Sequence, residues 1–247
     1  MLRGGQVLVD AATRARIDKA LQLWVSVRAE QAERSSARGT PQQGRRSSVT
    51  GGRHLEGVCD LVVEELEATG AQDLELRRNK GATLAGYYRP TKSWDLLVLQ
   101  HGSPVLAVEF KSMSGSEGKN LNNRADEVFG IAEDARQAEA HGLLPPNLRR
   151  AYIFVMGINA DSTRPIGLSA AHGHVDEAFN EVSYLGRMAT MCHRMRETGL
   201  YHLTWAVGVH EDVFDWDEPN PQVGWDRFAD DLHRAFARGE ATKATHP

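Results

Sequence analysis

Trp94-Asp95-Leu96-Leu97-Val98-Leu99 is an apolar run of strand length, and Val105-Leu106-Ala107-Val108-Glu109-Phe110-Lys111 follows as a second one. The residues between them, Gln100-His101-Gly102-Ser103-Pro104, contain a glycine and a proline, which favour a turn. Two such runs joined by a short turn predict a β-hairpin.

The spacing of the charged residues in this hairpin predicts where they meet. We pair Leu99 with Val105 across the turn. Antiparallel counting then brings Asp95 opposite Glu109, with Cβ atoms about 4.5–5.5 Å apart. Lys111 lies two residues beyond Glu109 and therefore projects from the same face.

Two carboxylates this close repel each other unless a cation lies between them or one of them is protonated. A hard divalent ion bound by oxygen ligands resolves the repulsion, and Mg²⁺ is the usual one beside phosphates. We therefore predict a site that cleaves phosphodiesters, with Asp95, Glu109 and Lys111 as catalytic residues and Asp95 and Glu109 as metal ligands.

The Glu-x-Lys pattern alone is weak evidence, because the chain contains a second copy, Glu117-Gly118-Lys119. That copy lies in a Gly/Ser-rich stretch without apolar flanks, and we predict solvated surface there. Charged residues are seldom buried without a partner or a metal, so Glu109 and Lys111 in an apolar strand need an explanation. Two structural alternatives remain open: charges that protect an edge strand, or a plain salt bridge between Asp95 and Lys111.

Composition limits the function classes. The net charge is −4, so no global basic signal for nucleic acid is present. The cysteines Cys59 and Cys192 form no CxxC pair, which excludes a zinc ribbon or a redox motif of that type. Neither an apolar run of membrane-spanning length nor a signal-peptide core is found, and we expect a cytoplasmic protein.

Two helices are predicted in the first part of the chain. Residues from about 10 to 33 have helical apolar spacing, with Asp10 as N-cap. Residues 54–69 form an amphipathic helix that ends at Gly70. Glu56 lies on the polar face of this second helix and is a further candidate metal ligand, although exposed acidic residues are common on such faces.

Two basic stretches predict contact with a polyanion. Residues from about 34 to 53 hold five arginines and no acidic residue, which predicts a flexible loop that orders on DNA; a solvated linker is the alternative. Residues 76–92 combine basic residues with two tyrosines and lead directly into the hairpin. From these stretches we predict Arg53, Arg89 and Lys92 as DNA-binding residues.

A third group of candidate DNA contacts follows the hairpin. We predict a loop over 112–121, then Asn122, Asn123 and Arg124 at the start of a helix that runs to about Ala140. Asparagine and arginine side chains can read adenine and guanine edges. Helix capping by Asn122 or Asn123 is the alternative.

The rest of the chain completes an α/β pattern. Strands are predicted over 152–158 and 203–209, and helices over 175–198, with Ala178 inward, and 225–238. We therefore predict a single domain over 1–247, with a central mixed β-sheet flanked by helices on both faces.

Asp95…Glu109-Phe110-Lys111 resembles the PD-(D/E)XK nuclease superfamily, with Trp94 where that pattern usually has proline. Within the superfamily the chain resembles the XhoI-type restriction endonucleases over nearly its whole length. The residues that carry this resemblance are Gly52-Arg53-His54, the run from Gly86 to Val98, Ala107-Val108-Glu109-Phe110-Lys111-Ser112 and Asn120-Leu121-Asn122-Asn123-Arg124.

The resemblance implies a restriction-endonuclease-like core and a homodimer that makes Mg²⁺-dependent double-strand cuts at a short palindrome, CTCGAG in the family prototype, leaving 5′ overhangs. It also implies a cognate DNA methyltransferase as genetic partner and the Phe110 carbonyl as a third metal ligand. Two alternatives remain open: a repair nuclease or junction resolvase of the same fold, and a non-enzymatic DNA-binding regulator.

Overall fold

The computed structural model describes residues 9–37, 53–168, 170 and 172–236. The α-helices are α1 (Ala11–Ala37), α2 (Glu56–Ala68), α3 (Glu117–Ala140), α4 (Ala160–Thr163), α5 (Tyr184–Glu197) and α6 (Trp225–Phe236). The strands are β1 (Leu74–Arg78), β2 (Thr83–Ala85), β3 (Thr91–Ser93), β4 (Leu96–Gln100), β5 (Ser103–Met113), β6 (Arg149–Ile158), β7 (Leu203–His210) and β8 (Asp215–Asp217). Short 3₁₀ turns cover Arg53–Leu55, Asn79–Ala82, Glu177–Phe179 and Pro221–Val223.

Six strands form one mixed sheet in the order β1-β4-β5-β6-β7-β8. Strands β5, β6 and β7 are parallel to one another, and the other neighbours in the sheet are antiparallel. Strands β2 and β3 form a separate two-stranded hairpin. The predicted fold class, an α/β protein with a mixed central sheet, is therefore confirmed.

Helices cover both faces of the sheet because alternate strand residues point to opposite sides. Leu96, Val98 and Val108 pack in one core with α1, α2 and α6. Leu97 and Ala107 pack in the other core, with α3 and α5. Because β4 and β5 are buried on both faces, their sequences are nearly continuous apolar runs. Within the described ranges, no helix is long and apolar enough to cross a membrane.

The predicted β4–β5 hairpin forms, but its pairing at the turn was wrong. Leu99 pairs with Pro104, and an irregularity between Val98 and Leu99 shifts the register. His101 and Gly102 both have positive φ, 50° and 79°, which is the backbone of a tight two-residue turn.

Beyond the register shift, the pairing returns to the predicted count. Leu96 pairs with Val108, and continuing this register by one residue brings Asp95 opposite Glu109. The Asp95 N–H donates to the Val108 carbonyl oxygen at 3.1 Å, so the backbone pairing continues one residue beyond β4.

The predicted loop over 112–121 was wrong, because β5 continues to Met113 and α3 begins at Glu117. Residues 122–124 therefore lie inside α3, and the alternative of capping by its asparagines was also wrong. Glu117 is buried rather than solvated. Its carboxylate accepts hydrogen bonds from the Gly115 N–H at 3.1 Å and from Asn159 Nδ2 at 2.8 Å.

Several predicted boundaries also change. Asp10 caps α1 as predicted, through the Ala12 and Thr13 N–H groups. Helix α1 continues to Ala37, so the first four residues of the predicted loop 34–53 are helical, and residues 38–52 lie outside the described part. The helix predicted over 175–198 begins only at Tyr184, and Ala178 is exposed instead of inward.

Four strands, β1, β2, β3 and β8, and the short helix α4 were not predicted. The last helix is described to Phe236, so its predicted end at residue 238 lies outside the described residues.

Candidate active site

A cleft of about 730 Å³ lies at the end of the β4–β5 hairpin where the charged residues meet. Its walls carry four basic residues, Arg78, Lys80, Lys111 and Arg124, and two acidic residues, Glu56 and Asp95. Basic side chains therefore outnumber acidic ones around a pair of candidate metal-binding carboxylates, although the chain as a whole is acidic. This charge distribution suits a polyanionic ligand.

Asp95 immediately precedes β4, with its side chain exposed to the cleft. Its Oδ2 accepts a hydrogen bond from the Phe110 N–H at 2.8 Å. The surrounding cleft walls partly desolvate the carboxyl and raise its pKa, and the negative charge of Glu109 raises it further. Lys111 and Lys92 act in the opposite direction and lower the pKa, but burial and Glu109 outweigh them.

Glu109 lies in the middle of β5 and is only 2% exposed. Its Oε1 lies 2.6 Å from Lys111 Nζ, and its Oε2 lies 2.9 Å from Lys92 Nζ. Strand β5 lies between β4 and β6, so the edge-strand alternative was wrong. Lys111 forms its ion pair with Glu109 and not with Asp95, which replaces the predicted alternative of a plain Asp95–Lys111 bridge.

The oxygen atoms at this end of the hairpin fit a hard divalent cation. The two carboxylates and the Phe110 carbonyl are hard donors, and the closeness of Asp95 and Glu109 along the paired strands would let one cation contact both. Glu56 lines the same cleft. In the part of the chain that the structure describes, however, no three His, Cys, Asp or Glu side chains form a metal-binding group.

The six predicted DNA-binding residues occupy different surroundings. Arg124 lines the cleft and pairs with Glu127 one turn further along α3. Exposed side chains are found at Arg53, Asn122 and Asn123. The side chains of Arg89 and Lys92 instead contact carboxylates, Asp134 and Glu109 respectively.

Sequence reasoning missed Asp134, which holds the tip of the β2–β3 hairpin. Asp134 lies on α3 and is 2% exposed. Its Oδ1 accepts from the Tyr87 and Tyr88 N–H groups at 3.0 and 2.7 Å, and its Oδ2 lies 3.0 Å from Arg89 Nε. The spacing of residues along α3 gives no sign of this role.

His54 was also missed as a site residue, although it stands next to Arg53 in one of the resembling motifs. It lines the cleft, and its Nε2 lies 2.8 Å from the hydroxyl of Ser112, the residue after Lys111. Burial lowers the pKa of His54, and the charge of Arg28 lowers it further, so the ring is neutral at pH 7. A neutral imidazole adds a hydrogen-bonding group to the cleft without adding charge.

The chain matches the family described as restriction endonuclease XhoI over residues 33–213. It is 36% identical over 159 residues to the type II restriction enzyme XhoI of Xanthomonas vasicola, which is 62% of this chain and 64% of that protein. It is 37% identical over 137 residues to AbrI of Azospirillum brasilense, 55% of this chain and 60% of that enzyme.

A third relative is BstVI of Geobacillus stearothermophilus, 33% identical over 162 residues, which are 62% of this chain and 71% of that enzyme. All three relatives are described as type II restriction enzymes. The chain thus spans less than two thirds of the length of XhoI and AbrI. No solved structure gives a significant match.

The family match includes the β4–β5 hairpin, the cleft residues and most of α3 to β7. It covers well over half of the chain. This protein therefore belongs to the XhoI restriction endonuclease family.

Proposed function

We propose that this protein is a type II restriction endonuclease that makes Mg²⁺-dependent double-strand cuts in DNA. One observation carries the proposal: Asp95, Glu109 and Lys111 meet at one end of a core hairpin, beside a cleft whose charged side chains are mainly basic. Family membership adds support, because all three relatives are described as type II restriction enzymes.

Asp95, Glu109 and the Phe110 carbonyl would hold Mg²⁺ at the scissile phosphate. A divalent ion bound there supplies activation of water and neutralisation of the charge on the phosphate oxygens. Lys111 would orient the attacking water and stabilise the developing negative charge. In-line attack breaks the P–O3′ bond and leaves a 5′-phosphate and a 3′-hydroxyl.

The remaining predicted residues would bind and read DNA. Exposed Asn122 and Asn123, and Arg124 in the cleft, offer the side chains that pair with adenine and guanine edges. Arg53 is exposed, so its guanidinium could contact phosphate. Arg89 uses its Nε for Asp134 and is 42% exposed, so its other donors can still contact a phosphate.

We propose CTCGAG as the recognition site, with 5′ overhangs after cutting, because a 36% identical relative carries the XhoI name. A palindrome presents the same half-site twice around a two-fold axis, so a homodimer matches its symmetry. Such an enzyme would act in the cytoplasm beside a methyltransferase that protects the host's copies of the site.

The test is digestion of unmethylated phage DNA by the purified protein with Mg²⁺, with a matched EDTA control. We expect discrete fragments only with Mg²⁺, and the sequenced fragment ends give the site and the overhang. Cutting restricted to branched or damaged DNA would instead identify a resolvase or repair nuclease. Binding without any strand break, indifferent to Mg²⁺, would identify a regulator.

A further inference from the structure

Each carboxylate oxygen of Glu109 already contacts the ammonium group of a lysine. Lys111 Nζ lies 2.6 Å from Oε1, and Lys92 Nζ lies 2.9 Å from Oε2. Lys111 follows Glu109 on β5, whereas Lys92 comes from β3 in the separate hairpin. Two elements of the fold therefore converge on one buried carboxylate.

Lys92 is built into this position and is not a mobile surface lysine. Its side chain is only 16% exposed, and its ammonium lies 5.4 Å from the centre of the Trp94 ring. The ammonium also donates to the Ser93 carbonyl oxygen. In the β2–β3 hairpin, the backbone of Lys92 is paired with Leu84, which fixes where the side chain begins.

The four charged side chains nearest the candidate metal position carry no net charge without a metal. The negative charges of Asp95 and Glu109 are matched by the positive charges of Lys92 and Lys111. A divalent ion approaching Glu109 is repelled by an ammonium that lies in contact with the same carboxylate. Removing the charge of Lys92 would leave these four side chains with one excess negative charge.

We propose that Lys92 is a resident counter-ion of Glu109 that competes with the divalent cation, so that the DNA-free protein binds the metal weakly. The scissile phosphate would bring the additional negative charge that favours the metal. Metal uptake would then depend on DNA binding, and Lys92 would have a role different from a direct DNA contact. This inference rests on the proposed function, because it takes Glu109 as a metal ligand.

The experiment is calorimetric titration of Mg²⁺ into the DNA-free protein, for wild type and for Lys92→Met. Methionine keeps an unbranched stem beside Trp94 but removes the charge. We expect Lys92→Met to bind Mg²⁺ about tenfold more tightly or better. The melting temperature of the variant should correspondingly rise more with added Mg²⁺ than that of wild type.

Two further variants serve as controls. Lys92→Arg keeps the charge and should bind Mg²⁺ as weakly as wild type. Lys80 lines the same cleft but is exposed, so Lys80→Met measures the effect of removing a more distant charge and should change the affinity much less.

Equal or weaker Mg²⁺ binding by folded Lys92→Met would overturn the inference. If that variant does not fold, Lys92→Gln replaces it, and loss of folding in both would also overturn the inference by making Lys92 a structural support. DNA cleavage by wild type separates the two proposals. A wild type that cuts, with no gain in affinity in Lys92→Met, refutes only the inference. A wild type that neither cuts nor binds Mg²⁺ refutes the proposed function as well.

Discussion

The two hairpins that meet at the candidate site are held in different ways. The β4–β5 hairpin lies inside the six-stranded sheet, and its side chains enter the cores on both faces. The β2–β3 hairpin has three-residue strands outside that sheet. Its tip is held by Asp134, and the middle of its second strand is held by Glu109, through Lys92.

The two hairpins are therefore fixed by different kinds of interaction. Apolar packing, which is non-directional and extensive, fixes the carboxylates of the core hairpin. A few charged contacts, which a single substitution removes, fix the smaller hairpin. Changes at those contacts should therefore loosen the smaller hairpin and leave the core intact, and this separation can be tested.

Glu109 connects the two hairpins, so its removal should have the largest effect on stability. In Glu109→Ala the ammonium groups of Lys92 and Lys111 lose their shared partner. We expect the free energy of unfolding in EDTA to fall by about 3 kcal/mol, together with complete loss of cleavage. Urea unfolding measures the first quantity and a DNA digest the second.

Glu127 provides the matched control for this substitution, because it also pairs with a basic side chain, Arg124, but its own side chain is 48% exposed. Glu127→Ala should cost less than about 1 kcal/mol. If both alanine variants lost the same stability, Glu109 would not connect the hairpins as described.

Asp134→Ala should free the tip of the smaller hairpin. The substitution removes the acceptor of two backbone N–H groups and the partner of Arg89. We expect a loss of about 2 kcal/mol and faster hydrogen exchange at the Tyr87 and Tyr88 amides. Asp134→Asn keeps an acceptor and should lose less. Unchanged exchange in the alanine variant would contradict this anchoring role.

A glycine lies at each hairpin tip, and the two should respond differently to substitution. At Gly86 an added Cβ would lie 2.5 Å from the Arg89 carbonyl oxygen and 2.8 Å from Asp134 Oδ2. At Gly102 an added Cβ would have open space, but φ is +79°.

We therefore expect Gly86→Ala to cost about 1–3 kcal/mol through steric overlap, and Gly102→Ala about 1 kcal/mol through backbone strain. Asparagine tolerates positive φ, so Gly102→Asn should recover most of the loss, whereas Gly86→Asn should not. Thermal unfolding of the four variants measures the contrast, and equal rescue at both positions would count against it.

The smallest expected effect on stability is at Asp95, where the substitution should stabilise the protein rather than destabilise it. The pKa of Asp95 is raised above 3.8 in the folded protein. The unfolded chain therefore releases this proton at lower pH, and the carboxyl becomes destabilising as the pH rises through that range.

Asp95→Asn should accordingly raise the melting temperature of the metal-free protein slightly at about pH 7, with no difference from wild type at about pH 3. Melting in EDTA across this pH range tests the sign. A variant that melts below wild type at neutral pH would show that the Asp95 charge is compensated. Mg²⁺ at a concentration high enough to fill a weak site should stabilise wild type but not the variant.

The sequence was sufficient to predict the strands and helices in which burial imposes a clear pattern of apolar residues. The β4–β5 hairpin was predictable from two apolar runs and Gly102, and α2 from its apolar stripe. Strand β1 was missed because it lies at the sheet edge, where Leu74–Arg78 is only half-buried and largely charged. Helix α3 starts earlier than predicted because Gly118 and the preceding serines resemble a loop.

The site was predictable only where its geometry is local. Counting along two paired strands was enough to bring Asp95 to Glu109. The contacts of Lys92 and Asp134 join elements whose relative position depends on tertiary packing. Lys92 was predicted to bind DNA from its basic stretch, and that stretch gives no sign that the side chain also faces a buried carboxylate.

The most direct test of the catalytic assignment compares the two Glu-x-Lys lysines in one assay of DNA cleavage and binding. Lys111 contacts Glu109 at the cleft, whereas Lys119 is exposed on the first turn of α3. We predict that Lys111→Ala cuts DNA about 10²–10³-fold more slowly or not at all, yet still binds it, and that Lys119→Ala cuts normally. Normal cutting by Lys111→Ala would contradict the assignment of the active site to this hairpin.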